Sequence, residues 1–435
     1  MSEPWKPGIA FADVTDVGMR RSNNQDSYAV VLADSAERFF HRGHLFIVAD
    51  GMGAHAAGEL ASRMATERIS SAYCRNGAWG GEDVEAIDVL RDAVEEANEE
   101  IHRRGQENPE FYNMGTTASS LAILPEGAVI AHVGDSRIYR LRGKTLEQLT
   151  FDHSLVWEME ASGQVHPDSA LGQSIPKNVI TRSLGPNAAV QVDSEGPFPV
   201  LPGDTFLLCS DGLSGQVDDE EIGAILSCLP EDEAARVLVD LANLRGGPDN
   251  STVVILRIEG MPAGSATPPG RRGPGSDQAV SRLFPIAVVA CILGAVILAL
   301  AGMYQTMVIA ILLGLTAAIT AIVQHQLSGK PRSLRGGGTI RGGGRAPYRR
   351  FNAEPNQSLH DKLRGTVDEL RRAADIKHWD LDWSEVDKHQ ATSKQSAGQR
   401  KFADAVRHEA EAIIETMKQL REQHNRAAGE TAIDS

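Results

Sequence analysis

From residue 9 to residue 260 the chain alternates short β-prone runs with two pairs of helical blocks. Strands are predicted at Ile9 to Val14, Ser27 to Leu32, Leu45 to Ala49, Thr116 to Leu124, Ala128 to Val133, Arg137 to Leu141, Asp204 to Cys209 and Thr252 to Ile258. Helices are predicted at Ala57 to Tyr73, Glu82 to Arg104, Asp219 to Ser227 and Asp232 to Leu244. Strands in neighbouring hairpins and helices in pairs point to an α+β fold, with stacked antiparallel sheets covered by helices. Between Phe151 and Thr181 the pattern weakens into a polar segment containing Gly163, Pro167, Gly172 and Pro176, a candidate substrate flap.

The second part of the chain is built differently. Residues 261–282 are rich in Pro and Gly and form a linker. Leu283 to Val323 contains no charged residue and is interrupted by Tyr304-Gln305-Thr306. A membrane span needs roughly 17 to 25 residues, so this run predicts two transmembrane helices, with a re-entrant or buried hairpin as the rival. Residues 324–357 form a basic Gly/Arg linker. In 358–435, Leu359, Leu363, Val367 and Leu370 mark one amphipathic helix, and Phe402, Val406, Ala410, Ile413, Met417 and Leu420 mark another. They either pair with each other or dock on a partner whose identity the sequence does not give.

Charge follows the same divisions. Residues 1–260 carry 20 Lys or Arg against 41 Asp or Glu, a net of −21, whereas 261–350 carry 10 against 1, a net of +9. So acidic a first segment excludes nucleic acid as its partner and suits a protein that binds cations. Basic residues flank the apolar run on both sides, among them Arg271, Arg272 and Arg282 before it and Lys330, Arg332 and Arg335 after it. Both flanks are therefore expected in the cytoplasm, in a multi-pass protein of the cell (inner) membrane with its first segment and tail on the cytoplasmic side. The repeated Arg-Gly-Gly-Gly is too short for an RNA-binding tract and suits a flexible basic linker near anionic headgroups. Cys74, Cys209, Cys228 and Cys291 have no zinc-like spacing, and the amino terminus has no signal-peptide pattern.

Five acidic motifs carry the candidate chemistry: Arg21-Ser-Asn-Asn-Gln-Asp26, Asp50-Gly51-Met-Gly, Gly134-Asp135-Ser-Arg137, Ser210-Asp211-Gly212 and Asp249-Asn250. Four of these Asp residues close an apolar or β-prone run or directly precede one, so a rigid sheet can hold them together. Gathered carboxylates repel one another unless a cation lies between them, and oxygen-only ligands select hard ions such as Mg²⁺ and Mn²⁺. The chain has no GxSxG elbow and no Cys-x5-Arg loop, which disfavours a covalent phospho-enzyme.

Taken together, these motifs resemble the type 2C metal-dependent protein phosphatases (the PPM family) in their bacterial serine/threonine form, over about residues 9 to 260. The resemblance implies a four-layer αββα sandwich and hydrolysis of phosphoserine and phosphothreonine on phosphorylated proteins, opposing a serine/threonine kinase. It implies that Asp50 bridges two Mn²⁺ or Mg²⁺ ions, that the Gly51 carbonyl binds one of them, and that Asp211 and Asp249 complete a ligand shell. A water bridging the two ions would attack phosphorus in line. Asp26 would orient metal-bound water, and Asp135 would share a third, weaker ion with Asp211; Asp168 in the flap is not expected to join it. Arg21 would bind phosphate through its guanidinium fork, adjacent Arg20 being a surface charge. His55 would protonate the leaving group or, alternatively, cap the following helix. Gln25, where many members have Glu, Ala54 in place of a frequent Gly, and Gly215, where some have a third-metal Asp, depart from the family pattern.

Two other functions are compatible with parts of this pattern. One is a phosphatase-fold regulator acting on a phosphorylated anti-sigma-factor antagonist, a branch that usually lacks an Arg21-type motif. The other is a non-catalytic membrane scaffold, which would be expected to have lost core metal ligands; none is missing here.

Overall fold

The computed structural model describes residues 5–53, 56–75, 85–166, 169, 175–176, 179–260 and 346–433, the side chains of 424–433 excepted. Its strands are β1 (Ile9–Asp16), β2 (Asp26–Val31), β3 (His44–Met52), β4 (Gly115–Thr116), β5 (Ala118–Leu124), β6 (Gly127–Val133), β7 (Arg137–Arg142), β8 (Thr145–Gln148), β9 (Asp193–Phe198), β10 (Thr205–Cys209), β11 (Ser251–Ile258) and β12 (Arg349–Asn352). They form two antiparallel sheets. One has the order β1-β11-β10-β7-β8-β12; the other has the order β2-β3-β5-β6-β9, with β4 paired to β3.

Period-two alternation sorts the strand side chains into layers. In β3, Phe46 and Val48 enter the core between the sheets, where they meet Phe206 and Leu208 of β10 and Val254 and Leu256 of β11. The intervening Leu45, Ile47 and Ala49 face the helices α2 (Ala57–Arg75) and α3 (Ala86–Glu107). On the other sheet Leu207, Cys209, Val253 and Ile255 face α6 (Asp219–Cys228) and α7 (Glu231–Leu244). The expected four-layer αββα arrangement is present. The smaller helices are α1 (Ala36–Arg42), α4 (Leu155–Ala161) and α5 (Asp211–Ser214).

The tail helices are α8 (Gln357–Lys377), α9 (Ser384–Gly398) and α10 (Phe402–Ile433). They pair with one another and also pack on the sandwich. Leu359, Leu363, Val367, Val386, Val406 and Ile413 share one buried cluster with Ile222, Ile225 and Leu238 of α6 and α7.

The structure corrects some expectations, adds one element and leaves one stretch outside the described residues. The stretch expected as basic linker up to residue 357 contains β12, which pairs antiparallel with β8 and lengthens its sheet. The candidate flap opens with α4, whose Trp157 is buried against Phe151 and lies beneath the Arg349 guanidinium, 4.2 Å away. Helix α9 has no apolar stripe; Val386 and Ser393 are its only buried residues. The charge-free run 283–323 lies outside the described residues. Among those described, no helix is long and apolar enough to cross a membrane.

Candidate active site

The alternation that fills the core between the sheets also sets what caps it. In β2, Tyr28 and Val30 border that core, and two residues earlier comes Asp26; in β3, Phe46 and Val48 lead to Asp50. Asp26 and Asp50 are register partners. In the opposite sheet, Phe206 and Leu208 lead to Ser210, whose hydroxyl donates to Asp26 Oδ2 at 2.7 Å. The backbone N–H of Thr252 donates to Ser210 Oγ at 2.9 Å, joining β11 to the same point. The packed apolar core thus ends in a polar rim at one edge of the sandwich.

The other motifs meet there. Asp211 follows Ser210 as the first residue of α5. Asp249 Oδ2 accepts from Arg21 Nη2 at 2.7 Å. Asn250 pins the segment that carries Arg21: its Oδ1 accepts from Gln25 N–H, and its Nδ2 donates to the carbonyls of Val17 and Asn23. Asp135 sits on a turn whose Gly134 has φ +113°, and a Cβ there would come within 2.5 Å of the Thr117 side chain. Gly51 answers a second need beside an accessible carbonyl: a Cβ on it would come within 2.1 Å of the Gly58 carbonyl in α2.

The electrostatics show that the five acids converge. Burial, then the charges of Asp26, Asp211, Asp135 and Asp249, push the Asp50 carboxyl well above its ordinary range. Burial raises Asp26 to about 7 against its bonds to Ser210 and Thr252, and raises Asp135 to about 8 with the help of Asp211 and Asp152. Asp211 is also raised, by burial and then Asp249, although a hydrogen bond with Asp50 opposes the shift. Asp26 Oδ1, Asp135 Oδ1 and Asp211 Oδ1 are buried without a hydrogen-bond partner. Buried polar oxygens rarely stay unsatisfied, and two carboxyls in contact require a shared proton or a cation. An oxygen-only set of this kind fits hard divalent ions.

A sequence profile described as protein phosphatase 2C matches residues 19–241, slightly more than half of the chain. The chain belongs to the protein phosphatase 2C family. It is 39% identical over 250 residues to protein phosphatase PhpP of Streptococcus pneumoniae, covering 56% of this chain and 96% of that one. Over 244 residues it is 38% identical to serine/threonine phosphatase stp of Listeria monocytogenes, covering 56% and 93%. Among solved structures, the serine/threonine phosphatase PstP/Ppp of Mycobacterium tuberculosis superposes with a TM-score of 0.50 at 33% identity, covering 58% of this chain and 99% of that one. This protein phosphatase 2C is therefore a protein serine/threonine phosphatase.

Of the predicted site residues, the structure brings Arg21, Asp26, Asp50, Gly51, Asp135, Asp211 and Asp249 to one rim, while His55 and Asp168 lie outside the described residues. Both Arg20 and Arg21 are exposed, and Arg21 is the one that contacts Asp249. Sequence reasoning missed the positioning roles of Ser210 and Asn250. It also missed His153 at the start of the flap. His153 Nδ1 accepts from Gly134 N–H at 2.9 Å, and its Nε2 meets Asp193 Oδ2 at 3.0 Å, so it clamps the Asp135 turn. Asn250 adjoins a motif Asp, a signal that was available; His153 has no such neighbour.

Proposed function

We propose that the chain hydrolyses phosphoserine and phosphothreonine on proteins in a divalent-metal-dependent reaction, at the cytoplasmic face of the cell membrane, opposing a serine/threonine kinase. The observation that carries the metal dependence is the cluster of Asp26, Asp50, Asp135 and Asp211. All four carboxyls are raised, and none has an ion-pair partner among the described residues. Two Mn²⁺ or Mg²⁺ ions held by Asp50, Asp211, Asp249 and the Gly51 carbonyl would supply Lewis acidity toward phosphoryl oxygens and lower the pKa of the attacking water. Asp135, which faces Asp211, suits a third and weaker ion.

The remaining roles belong to the chain's own groups. Ser210 fixes one Asp26 oxygen and leaves the other unpartnered at the rim. Arg21 is exposed beside Asp249, where its planar fork can meet phosphate oxygens, and Asn250 holds the segment that presents it. His55 is the proposed proton donor to the departing serine or threonine oxygen.

Membrane attachment is supported by the charge-free run 283–323 and its basic flanks, and would place the catalytic body and tail on the cytoplasmic side. The full chain is the proper test material, because the tail covers apolar side chains of α6 and α7. In Mn²⁺ it should turn over p-nitrophenyl phosphate and a phosphothreonine peptide. Chelator should abolish both activities, and Asp211→Asn should lack them; turnover indifferent to chelator would refute the metal assignment. For topology, a cysteine replacing Gln305 should react with an impermeant thiol reagent applied to intact cells, and labelling only after lysis would overturn the hairpin.

A further inference from the structure

We propose that His389, His408 and Glu411 form a second metal site, remote in kind from the carboxylate rim, that takes a borderline divalent transition metal such as Zn²⁺, Co²⁺ or Ni²⁺. His408 and Glu411 lie one turn apart on α10, and His389 reaches them from α9, across the hairpin closed by Gln399, Arg400 and Lys401. His389 Nδ1 is 2.8 Å and His408 Nδ1 2.7 Å from the same atom, Glu411 Oε2. The three ligand atoms all lie within 4.8 Å of one another, and the two imidazole planes are inclined by 34° with centroids 6.1 Å apart.

Convergence on one point is what separates this cluster from the other histidines. His132 and His153 stack at 5.0 Å, but Ser119 and the Phe151 carbonyl take the ring nitrogens of His132, and Gly134 N–H and Asp193 take those of His153. His360 points one nitrogen at Asp361 and the other at Ser393. Only in the α9–α10 hairpin do two imidazoles, among the described residues, aim the same ring nitrogen at one carboxylate oxygen. Tetrahedral bonds of about 2.0 to 2.2 Å set donors roughly 3.3 to 3.6 Å apart, so each of the two nitrogen–oxygen pairs needs to open by less than an ångström, while the two nitrogens already lie within 4.8 Å of each other.

The donor set decides the metal. Two nitrogens and one oxygen favour zinc and its neighbours over Mg²⁺ or Mn²⁺, the reverse of the oxygen-only rim. All three side chains are partly exposed, leaving an entry path and a fourth position for water. Glu233 of α7 stands close enough for the Glu411 charge to add to burial in raising its carboxyl, so further negative charge faces the cluster from the catalytic body. A bound ion would cross-link α9, which buries little apolar surface of its own, to α10.

The test uses the full-length protein with its carboxylate rim saturated by millimolar Mg²⁺, titrated with Co²⁺ and then Zn²⁺. The wild type should take up one further equivalent, with the intense visible bands of a low-coordinate nitrogen-containing Co²⁺ site, and should melt at a higher temperature with Zn²⁺. His389→Gln and His408→Gln should each lose that equivalent, the bands and the thermal shift, while their Mg²⁺-supported turnover stays at the wild-type level. If either folded variant takes up as many equivalents as the wild type, or if the wild type takes up none beyond the Mg²⁺ site, the proposal is overturned.

Discussion

Buried acids at the rim and buried acids on the outer side of the same molecule are treated in opposite ways. At the rim, Asp26, Asp50, Asp135 and Asp211 crowd together and their carboxyls rise. Where α6, α7 and the tail meet, most buried acids have a cation of their own. Glu409 of α10 is the exception: it is buried, raised by that burial, and its one ion-pair contact is with His360 at 3.7 Å. Burial pushes Glu221 up, but Arg245 at 2.7 Å and Lys362 at 3.3 Å hold it below its usual range; Arg140 and Arg350 do the same for Glu147. Asp240, fully buried on α7, accepts from Arg421 of α10 at 2.6 Å, and although burial still raises its carboxyl, Arg421 and Arg236 oppose that shift. An acid-rich chain thus pairs most of its structural carboxylates internally and leaves the crowded acids of the rim without a cation, and that cluster is where an external cation is required.

Asp50→Asn should break this contrast most visibly. It should cut phosphatase turnover by about a hundredfold or more, the scale expected when a preorganised electrostatic element of an active site is removed. In chelator the same variant should melt at a higher temperature than the wild type, because the folded state no longer confines a carboxyl whose pKa it has raised. At neutral pH a raised acid costs stability, since the unfolded chain ionises it freely. A chelated variant that melts lower would show that the rim is not electrostatically strained.

Removing a cation from the paired region should act in the other direction. Arg421→Met leaves Asp240 buried without its ion-pair partner, at a cost of about 3 kcal/mol, the low end for a broken buried pair because Arg421 itself is a third exposed and Arg236 still acts on the carboxyl. Chemical denaturation should report the loss, and turnover of the folded fraction should stay unchanged. Ile413→Ala, in the apolar cluster shared by tail and sandwich, should cost about 2 to 3 kcal/mol through its cavity. If it left stability unchanged, the tail would contribute nothing to the sandwich.

Much of this was legible in the sequence. Where a short unbroken apolar run ends in or follows an Asp, as in Leu45 to Asp50 or Asp249 to Ile258, the strand followed directly, and with it the placement of Asp50, Asp135, Asp211 and Asp249; Asp26 was legible only through the family resemblance. What stayed hidden has physical reasons. Strand β12 has the sequence Arg-Arg-Phe-Asn, and its charges are explained only by Glu147 and Glu160, which sit some two hundred residues earlier. Strand β9 contains Gly196 and Pro197. Helix α9 is held by its neighbours rather than by an apolar stripe of its own. His153 acts through the backbone of Gly134, a relation that no spacing rule encodes.

The smallest expected effect concerns His132, which lies in the core between the sheets beneath the Asp135 turn. Burial, then the neighbouring His153, lowers its pKa from the usual value near 6.5 to about 3. The folded protein therefore holds this imidazole neutral, while the unfolded chain takes up a proton below about pH 6.5. Stability from this group is fully present above that pH and is lost as pH falls toward 3, at up to about 1.4 kcal/mol per pH unit. His44, lowered to about 4 by burial, adds a similar and narrower loss. Across urea midpoints of chelated protein at pH 7.5, 6.0 and 5.0, the wild type should lose ground relative to His132→Asn, which has no imidazole to protonate; the raised rim acids, whose cost is relieved as pH falls, are common to both. Equal slopes would mean that His132 is charged, or hydrated, in the folded state. In that case the core beneath the rim would resemble the uncompensated acids above it more than the paired acids on the outer face.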